Sequence, residues 1–169
     1  AHAFRKEWAG ESREPAEAQT FWNQFLRVFG IERRQFGVFE KRVQKLDGKP
    51  GRIDFFWPGV LLAEHKSVGA DLDAAFLQAL DYFDGLKQRE IPRYVVVSDF
   101  ANIRLYDLEG GEDLFKPRVT TFATRDLPKH IKSFGFIAGY RVQEIKPEDP
   151  VNLKAAEKMR RLHDQLKAA

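Results

Sequence analysis

Three charged residues interrupt two otherwise apolar stretches on either side of a Pro58-Gly59 turn: Asp54, Glu64 and Lys66. Charged side chains are seldom buried within strands unless they have a partner or a function. Side chains alternate between the two faces of a strand, so Glu64 and Lys66 share one face. A hairpin centred on Gly59 also places Asp54 opposite Glu64, because each lies five residues from that glycine. The spacing predicts two carboxylates and one ammonium group at one point of a sheet.

Two carboxylates so close together repel each other, and a cation between them would relieve the repulsion. Carboxylate and water ligands favour Mg²⁺, with Mn²⁺ as a possible substitute. Lys66 beside such an ion could orient an attacking water and stabilise negative charge on a phosphate oxygen. These parts suit phosphodiester hydrolysis, with Asp54 and Glu64 as candidate metal ligands and catalytic residues and Lys66 as a candidate catalytic residue.

An ordinary structural explanation of the same residues stays open. Lys66 could form a salt bridge with either acid at a strand edge. An acid followed, after nine intervening residues, by Glu-x-Lys also arises often by chance, so the pattern alone makes a nuclease only the leading hypothesis.

Three further residues could extend this site. Gln78 and Tyr82 are four residues apart on the next predicted helix, where both could face the site and bind a DNA backbone. Glu40, which precedes Lys41 and Arg42, could supply a third acid. Each has an ordinary alternative, since Gln78 and Tyr82 could be helix surface and Glu40 could pair with a neighbour.

Strands alternating with helices must position these residues, and that order predicts an α/β fold. Apolar residues at three- and four-residue steps predict helices, and β-branched or alternating runs predict strands. The predicted helices cover 15–30, 71–86 with Asp71 as N-cap, 126–132, and 151–169 after a proline-containing linker at 146–150. The predicted extended segments cover 35–46 with alternation broken around Phe39, 52–57, 60–67, 93–98, 102–108 and, less clearly, 114–122.

Composition restricts the class of protein. The formal net charge is +3, and residues 31–52 carry seven basic side chains against three acidic ones, which could line a path for phosphates or simply be a solvated face. The chain has no cysteine, so it can form neither disulfides nor a thiolate zinc site, and a cytoplasmic location is expected. The four histidines share no metal-ligand spacing. No apolar stretch is long enough to span a membrane.

The stretch around the three charged residues resembles the PD-(D/E)xK nuclease superfamily, and almost the whole chain resembles the N-terminal endonuclease domain of MmeI-like type IIL (type IIG) restriction-modification enzymes. Ile53 replaces the proline that is common before the aspartate in the wider superfamily. Gln78-x-x-x-Tyr82 is also similar to a motif of RecB-type nucleases. The resemblance is carried by Phe39-Glu40 and by the stretches Asp54 to Ser67, Asp71 to Ala75, Gln78 to Phe83, Pro92 to Phe100, Ser133 to Tyr140 and Ile145 to Pro147.

This resemblance implies a PD-(D/E)xK nuclease-like fold with a central mixed β-sheet flanked by helices. It implies that Asp54 and Glu64 bind Mg²⁺, that Lys66 is catalytic and that Glu40 is an accessory acid in the cleavage of double-stranded DNA. It also implies a larger polypeptide with methyltransferase and target-recognition regions, where S-adenosylmethionine serves the methyltransferase, and dimerisation for double-strand cleavage is possible. Residues 1–145 would then be the endonuclease domain, and 146–169 the linker and start of a helical connector.

Two other functions are compatible with such a fold. One is a noncatalytic DNA-binding module, since a fold by itself does not establish activity. The other is a stand-alone repair nuclease or resolvase with the same core. The presence of Asp54, Glu64 and Lys66 together favours a catalytic function over the first.

Overall fold

The part of the chain that the structure describes, residues 1–8, 14–32, 36–45, 47–111 and 116–139 of a computed structural model, contains four α-helices and six strands. The helices are α1 His2–Glu7, α2 Glu14–Val28, α3 Leu72–Leu80 and α4 Leu127–His130. The strands are β1 Val38–Gln44, β2 Pro50–Trp57, β3 Leu61–His65, β4 Tyr94–Ser98, β5 Asn102–Asp107 and β6 Arg118–Ala123.

The six strands form one mixed sheet whose spatial order is the same as their order in the chain. β3 and β4 are parallel, and α3 makes the crossover between them, whereas every other neighbouring pair is antiparallel. A parallel pair needs such a crossover, while antiparallel neighbours need only short turns. The predicted α/β class, a mixed sheet flanked by helices, is confirmed.

Each face of the sheet is covered by its own hydrophobic core. The first core lies under α1, α2 and α4 and is rich in aromatic rings, including Phe21, Trp22 and Phe100. The second core lies under α3, whose Phe76 stacks on Tyr106 of β5 with ring centroids 3.9 Å apart. β3 and β4 lie between the two cores, and every residue of β3 is buried. The near-continuous apolar runs of these two strands therefore reflect burial on both faces.

The β2–β3 hairpin forms as predicted around Pro58-Gly59. Gly59 has a φ of 73°, and the Val60 amide donates to the Trp57 carbonyl at 3.0 Å. A β-turn with proline second and a positive φ third favours glycine at that third position. Phe55 pairs with Ala63 and Phe56 with Leu62, so the register has the predicted centre.

The β1–β2 pair changes face at Glu40. Phe39 and its partner Phe55 pack in the first core, but Ile53, two residues before Phe55, packs in the second. Glu40 lies between these positions with a φ of 54°, a left-handed conformation that few residues other than glycine adopt. The alternation that the sequence breaks near Phe39 is thus a real rotation of the strand pair.

The predicted helix over 71–86 is too long. α3 begins as expected, with the Asp71 side chain accepting hydrogen bonds from the Asp73 and Ala74 amides, but it ends at Leu80. A turn and a short 3₁₀ helix, Phe83–Gly85, follow. A Cβ on Gly85 would lie 2.5 Å from the carbonyl oxygen of Gln44, so the chain leaves the helix to pack directly against β1. Tyr82 therefore lies beyond the helix on which it was predicted.

Other boundaries also shift. α1 was not predicted, and the short helix predicted at 126–132 is α4 with 3₁₀ turns on both sides, Thr124–Asp126 and Ile131–Ala138. The strand expected near 114–122 is β6, which begins at Arg118 and ends at Ala123; residues 112–115 lie outside the described residues. The linker at 146–150, the helix over 151–169 and Tyr140 also lie outside them, and the domain boundary at 145 remains a prediction. Within the described ranges, no helix is both long and apolar enough to cross a membrane.

Candidate active site

Asp54 and Glu64 lie where β2 and β3 separate. The last paired residues of the two strands are Phe55 and Ala63, and the same register places Asp54 opposite Glu64 just beyond them. Beyond this pair, hydrogen bonds from backbone amides to the two carboxylates take the place of hydrogen bonds between the strand backbones. The Asp54 amide donates to Glu64 Oε1 at 3.3 Å, and the His65 amide donates to Asp54 Oδ2 at 2.7 Å. The two acids thus hold the strands at the start of a fork.

A cavity of about 470 Å³ occupies this fork and brings together all six predicted site residues. One wall comes from β3 and the residue after it, and the opposite wall comes from the start of β2 and neighbouring β1 residues. α2 and the segment from Gln78 to Tyr82 close the remaining sides. The lining includes Asp54, Glu64, Lys66, Glu40, Gln78 and Tyr82, together with Ala18, Gln19, Trp22, Lys45, Arg52 and His65.

Glu64 is the most deeply placed acid of the cavity, with only 2% of its surface exposed. Burial, reinforced by the negative charge of Asp54, raises the pKa of Glu64 to about 8. The Lys66 ammonium group and the Asp54 amide act in the opposite direction but do not cancel this effect. Glu64 is therefore a carboxyl group that takes up positive charge readily, either as a proton or as a cation.

Lys66 directs its ammonium group at that carboxyl. The distance from Nζ to Glu64 Oε2 is 3.4 Å, and about a quarter of the lysine side chain is exposed. The Lys66 amide donates to the Ser98 carbonyl at 2.8 Å, which anchors this residue to β4 just after β3 ends. The salt bridge considered as a structural alternative is present, and it holds the ammonium group at the cavity.

Gln78 and Tyr82 form one side of the cavity as a hydrogen-bonded pair. Gln78 Nε2 donates to the Tyr82 hydroxyl at 2.7 Å. Burial, with Glu64 nearby, raises the pKa of Tyr82 to about 12, so the phenol stays neutral. A Cβ on Gly51 would lie 2.7 Å from Cε1 of the Tyr82 ring, so β2 can approach this tyrosine only with glycine at that position.

Glu40 lies at the rim of the cavity with its carboxylate turned toward other partners. Its Oε1 accepts a hydrogen bond from Gln19 Nε2 at 3.4 Å and lies 3.7 Å from Arg52 Nη1. Among the described residues, no three His, Cys, Asp or Glu side chains are grouped closely enough to hold a metal ion together. The structure thus brings Glu40 to the same cavity as Asp54 and Glu64 without joining it to their carboxylates.

The donor set of the cavity fits a small divalent cation. Asp54 and Glu64 would supply carboxylate oxygens, and the open cavity leaves space for further oxygen ligands such as water. The raised pKa of Glu64 expresses the energetic cost of a buried acid beside another acid, which a cation would offset. Sulfur and imidazole ligands are absent from this pair, so Mg²⁺ or Mn²⁺ suits it better than Zn²⁺.

His65 also borders the cavity, but its ring packs among aromatic residues of the first core and does not fit an acid–base function. It is 2% exposed, and its ring lies 3.9 Å from the Phe100 ring and 4.9 Å from the Phe21 ring, measured between centroids. Burial lowers the pKa of His65 to about 3, so the imidazole is neutral at physiological pH. Its aromatic contacts instead attach β3 to the first core directly behind the acids.

Comparison with known protein families gives a match over the full length of the chain. The family described as "MmeI, N-terminal domain" matches residues 1–169. The chain belongs to this family. The resemblance to the N-terminal domain of MmeI-like enzymes is therefore confirmed.

Structural comparison supports the fold of this MmeI N-terminal domain. The chain is similar to one in a cryoEM structure of a DrdV-DNA complex, with a TM-score of 0.50 and 12% sequence identity. The similarity covers 83% of this chain and 14% of that chain, so this domain spans a small part of the length of its structural relative. At this identity the likeness shows the fold alone. No curated protein sequence gives a significant match.

Several cavity residues of the MmeI N-terminal domain were not singled out from the sequence. Lys45 and Arg52 had been counted only as part of a basic run, although Arg52 lies two residues before Asp54. Gln19 and Trp22 belong to a helix that was interpreted purely as core. The available signal was Gln19, a polar residue within an otherwise aromatic helix, but it does not indicate which part of the sheet the helix covers.

Replacing Glu64 by glutamine is expected to stabilise the metal-free chain at high pH. In the unfolded chain a glutamate ionises near its ordinary pKa of roughly 4.3, whereas in the fold it does so at about 8. Wild-type stability should therefore fall as the pH rises through this interval, and the loss should be complete above about 8. At pH ~9 we expect Glu64→Gln to be more stable by about 5 kcal/mol, and the two proteins should converge below pH ~4.

Urea unfolding in EDTA at several pH values measures this difference. Glu32→Gln, at an exposed position outside the cavity, is the matched control and should follow the wild type. Added Mg²⁺ should stabilise the wild type at high pH more than it stabilises Glu64→Gln. Equal stability of wild type and Glu64→Gln across the whole range would contradict the burial argument.

Proposed function

We propose that this chain is the metal-dependent DNA endonuclease domain of a bifunctional, type II restriction-modification enzyme that hydrolyses phosphodiester bonds of double-stranded DNA. The observation that carries the proposal is the convergence of Asp54, Glu64 and Lys66 on one cavity at the β2–β3 fork. Membership of the MmeI N-terminal domain family supports the restriction-modification context. The similarity of fold to a chain from a DNA complex supports DNA as the substrate.

Each residue has a defined task in this mechanism. Asp54 and Glu64 would hold Mg²⁺, which when bound polarises the phosphoryl group and lowers the pKa of a coordinated water. Lys66, held by the Ser98 carbonyl, presents its ammonium group where negative charge develops on the phosphate. Gln78 and Tyr82 offer polar groups that can position the backbone of the substrate. Glu40 would act only as an accessory acid at the rim.

The remaining parts of the proposal concern the whole enzyme. The methyltransferase and target-recognition regions of the full-length chain would modify adenine with S-adenosylmethionine and select the site, in the cytoplasm. Two copies would cooperate where both DNA strands are cut. Phosphate contacts carry no base information, so we expect the 169-residue chain alone to cut slowly and with little sequence preference.

The decisive experiment compares wild type with Asp54→Ala in a metal titration with DNA present. We expect plasmid cleavage by the wild type to require Mg²⁺ or Mn²⁺ and to be lost in EDTA. Asp54→Ala should lower the single-turnover rate by on the order of 10²-fold or more, because the site loses one of its two carboxylates. Asp84→Ala removes an exposed acid on the chain segment after α3 and serves as the control. DNA binding without cleavage by the wild type, under every metal tried, would instead support a noncatalytic module.

A further inference from the structure

The β1–β2 hairpin extends beyond the fork as a basic arm. We define the hairpin arm as residues 41–45 and 47–53, which comprise most of β1, the first half of β2 and the described residues between them. The pairing between β1 and β2 continues as far as Gln44 and Pro50. The pairing between β2 and β3, in contrast, ends at Phe55, so this part of the hairpin has no contact with β3 through backbone pairing. The arm carries five basic residues and one acidic residue: Lys41, Arg42, Lys45, Lys49 and Arg52, with Asp47.

Two arginines of the arm face each other across the strands. Arg42 pairs directly with Arg52 in the antiparallel register, and both are exposed. Like charges at directly opposite positions destabilise a strand pair. Glu40 Oε1 lies 3.7 Å from Arg52 Nη1 and offsets part of the repulsion, but the side chains of this pair are more than half exposed. The fold gains little from this arrangement, which suits the binding of an anion from outside.

The opposite face of the arm is anchored to the body of the protein. Val43 and Ile53 are buried in the second core. The backbone at Gln44 approaches Gly85 so closely that a Cβ there would lie 2.5 Å from the Gln44 carbonyl oxygen. Lys45 places its ammonium group 5.1 Å from the centre of the Tyr82 ring. The two arginines therefore lie on the exposed face of a hairpin whose other face is packed against the protein, beside the cavity.

We propose that the hairpin arm binds the phosphate backbone of duplex DNA through Arg42 and Arg52 and thereby positions a phosphodiester at the cavity. This inference rests on the proposed function, which makes DNA the substrate. Arg52 and Lys45 line the same cavity as Asp54 and Glu64. A DNA strand bound by the arm would therefore pass close to these two acids.

Phosphates are a better match for this face than base edges. Guanidinium groups bind phosphate oxygens with two parallel hydrogen bonds, and they remain charged at every relevant pH. Each phosphate contact releases counterions and contributes about 0.9 to the slope of log affinity against log salt. The proposal therefore makes a quantitative statement about the salt dependence of DNA binding.

The test measures binding of a short duplex by the 169-residue chain in EDTA, where metal-dependent hydrolysis does not proceed, across a range of salt concentrations. We expect Arg42→Gln/Arg52→Gln to weaken binding at low salt by ~10-fold or more and to reduce the slope by about 2. Lys87→Gln/Arg89→Gln removes the same charge from exposed positions near the Gly59 turn, at the other end of the β2–β3 hairpin. This control should keep the wild-type slope.

The outcomes separate the arm from the proposed function. An unchanged slope in the arm variant, an equal loss in the control variant, or no measurable binding by the wild type would overturn the arm proposal. Cleavage that depends on Asp54 would leave the endonuclease proposal standing in the first two of these cases. Conversely, an arm-dependent slope together with cleavage that is absent, or indifferent to Asp54→Ala, would support the arm and reject the endonuclease.

Discussion

Lys66→Ala is expected to lower DNA cleavage by the full-length enzyme by on the order of 10²- to 10³-fold, or more where the lysine also aligns the water. The ammonium group lies 3.4 Å from Glu64 Oε2, at the deepest acid of the cavity. In the proposed mechanism, a positive charge held there would stabilise the phosphate as negative charge develops, and an alanine would leave nothing in its place.

The same substitution should leave folding largely intact. Lys66 lies just after β3 and packs in neither core, and its backbone contact with Ser98 does not depend on the side chain. Glu64 would lose its cationic neighbour, but its pKa is already raised by burial. The acid can therefore take up a proton instead of remaining as an unpaired buried charge, so the loss of stability is limited.

Single-turnover cleavage of a cognate plasmid, thermal melting and adenine methylation of one preparation test this prediction. Lys87→Ala, an exposed lysine far from the fork, provides the matched control. Near-normal cleavage by Lys66→Ala would remove the lysine from the mechanism. Loss of cleavage together with methylation and with the melting transition would show that the Lys66–Glu64 salt bridge is structural.

Phe100→Ala is expected to lower the free energy of unfolding by about 3–5 kcal/mol. Phe100 follows β4, is 1% exposed and stacks on Trp8 with ring centroids 5.5 Å apart. It also contacts His65, the residue after Glu64. Loss of this ring would leave a cavity between α1 and β3, and the surrounding residues can relax into it only in part. The substitution should therefore also loosen the support behind the candidate site.

The backbone at Phe100 makes a second comparison informative. Its φ of 67° is left-handed, which costs a residue with a Cβ roughly 1 kcal/mol or more relative to glycine. Phe100→Gly loses the same ring but removes this strain, so it should be about 1 kcal/mol more stable than Phe100→Ala. Urea unfolding of the three proteins measures both effects. An alanine variant clearly more stable than the glycine variant would show that this conformation is not strained.

Local patterns were sufficient to predict where the three charged residues of the candidate site lie relative to one another. Pro58-Gly59 defined the turn, and alternation on either side placed Asp54 opposite Glu64 and put Lys66 on the same face as Glu64. These inferences succeeded because a two-residue turn and the period of a strand depend on neighbours in the chain. The same holds for the start of α3 at Asp71, whose cap involves residues only two and three positions away.

Tertiary structure decided how the site is enclosed. The sequence shows broken alternation near Phe39, but it does not show that the β1–β2 pair rotates at Glu40 as a result. It also does not indicate that Tyr82 leaves α3 to lie beside Gly51. Gln19 and Trp22 reach the cavity only because α2 packs across the first core onto the forked sheet. The acids and the lysine were thus predictable from spacing, whereas the walls around them come from segments distant in the chain, whose approach depends on how both cores pack.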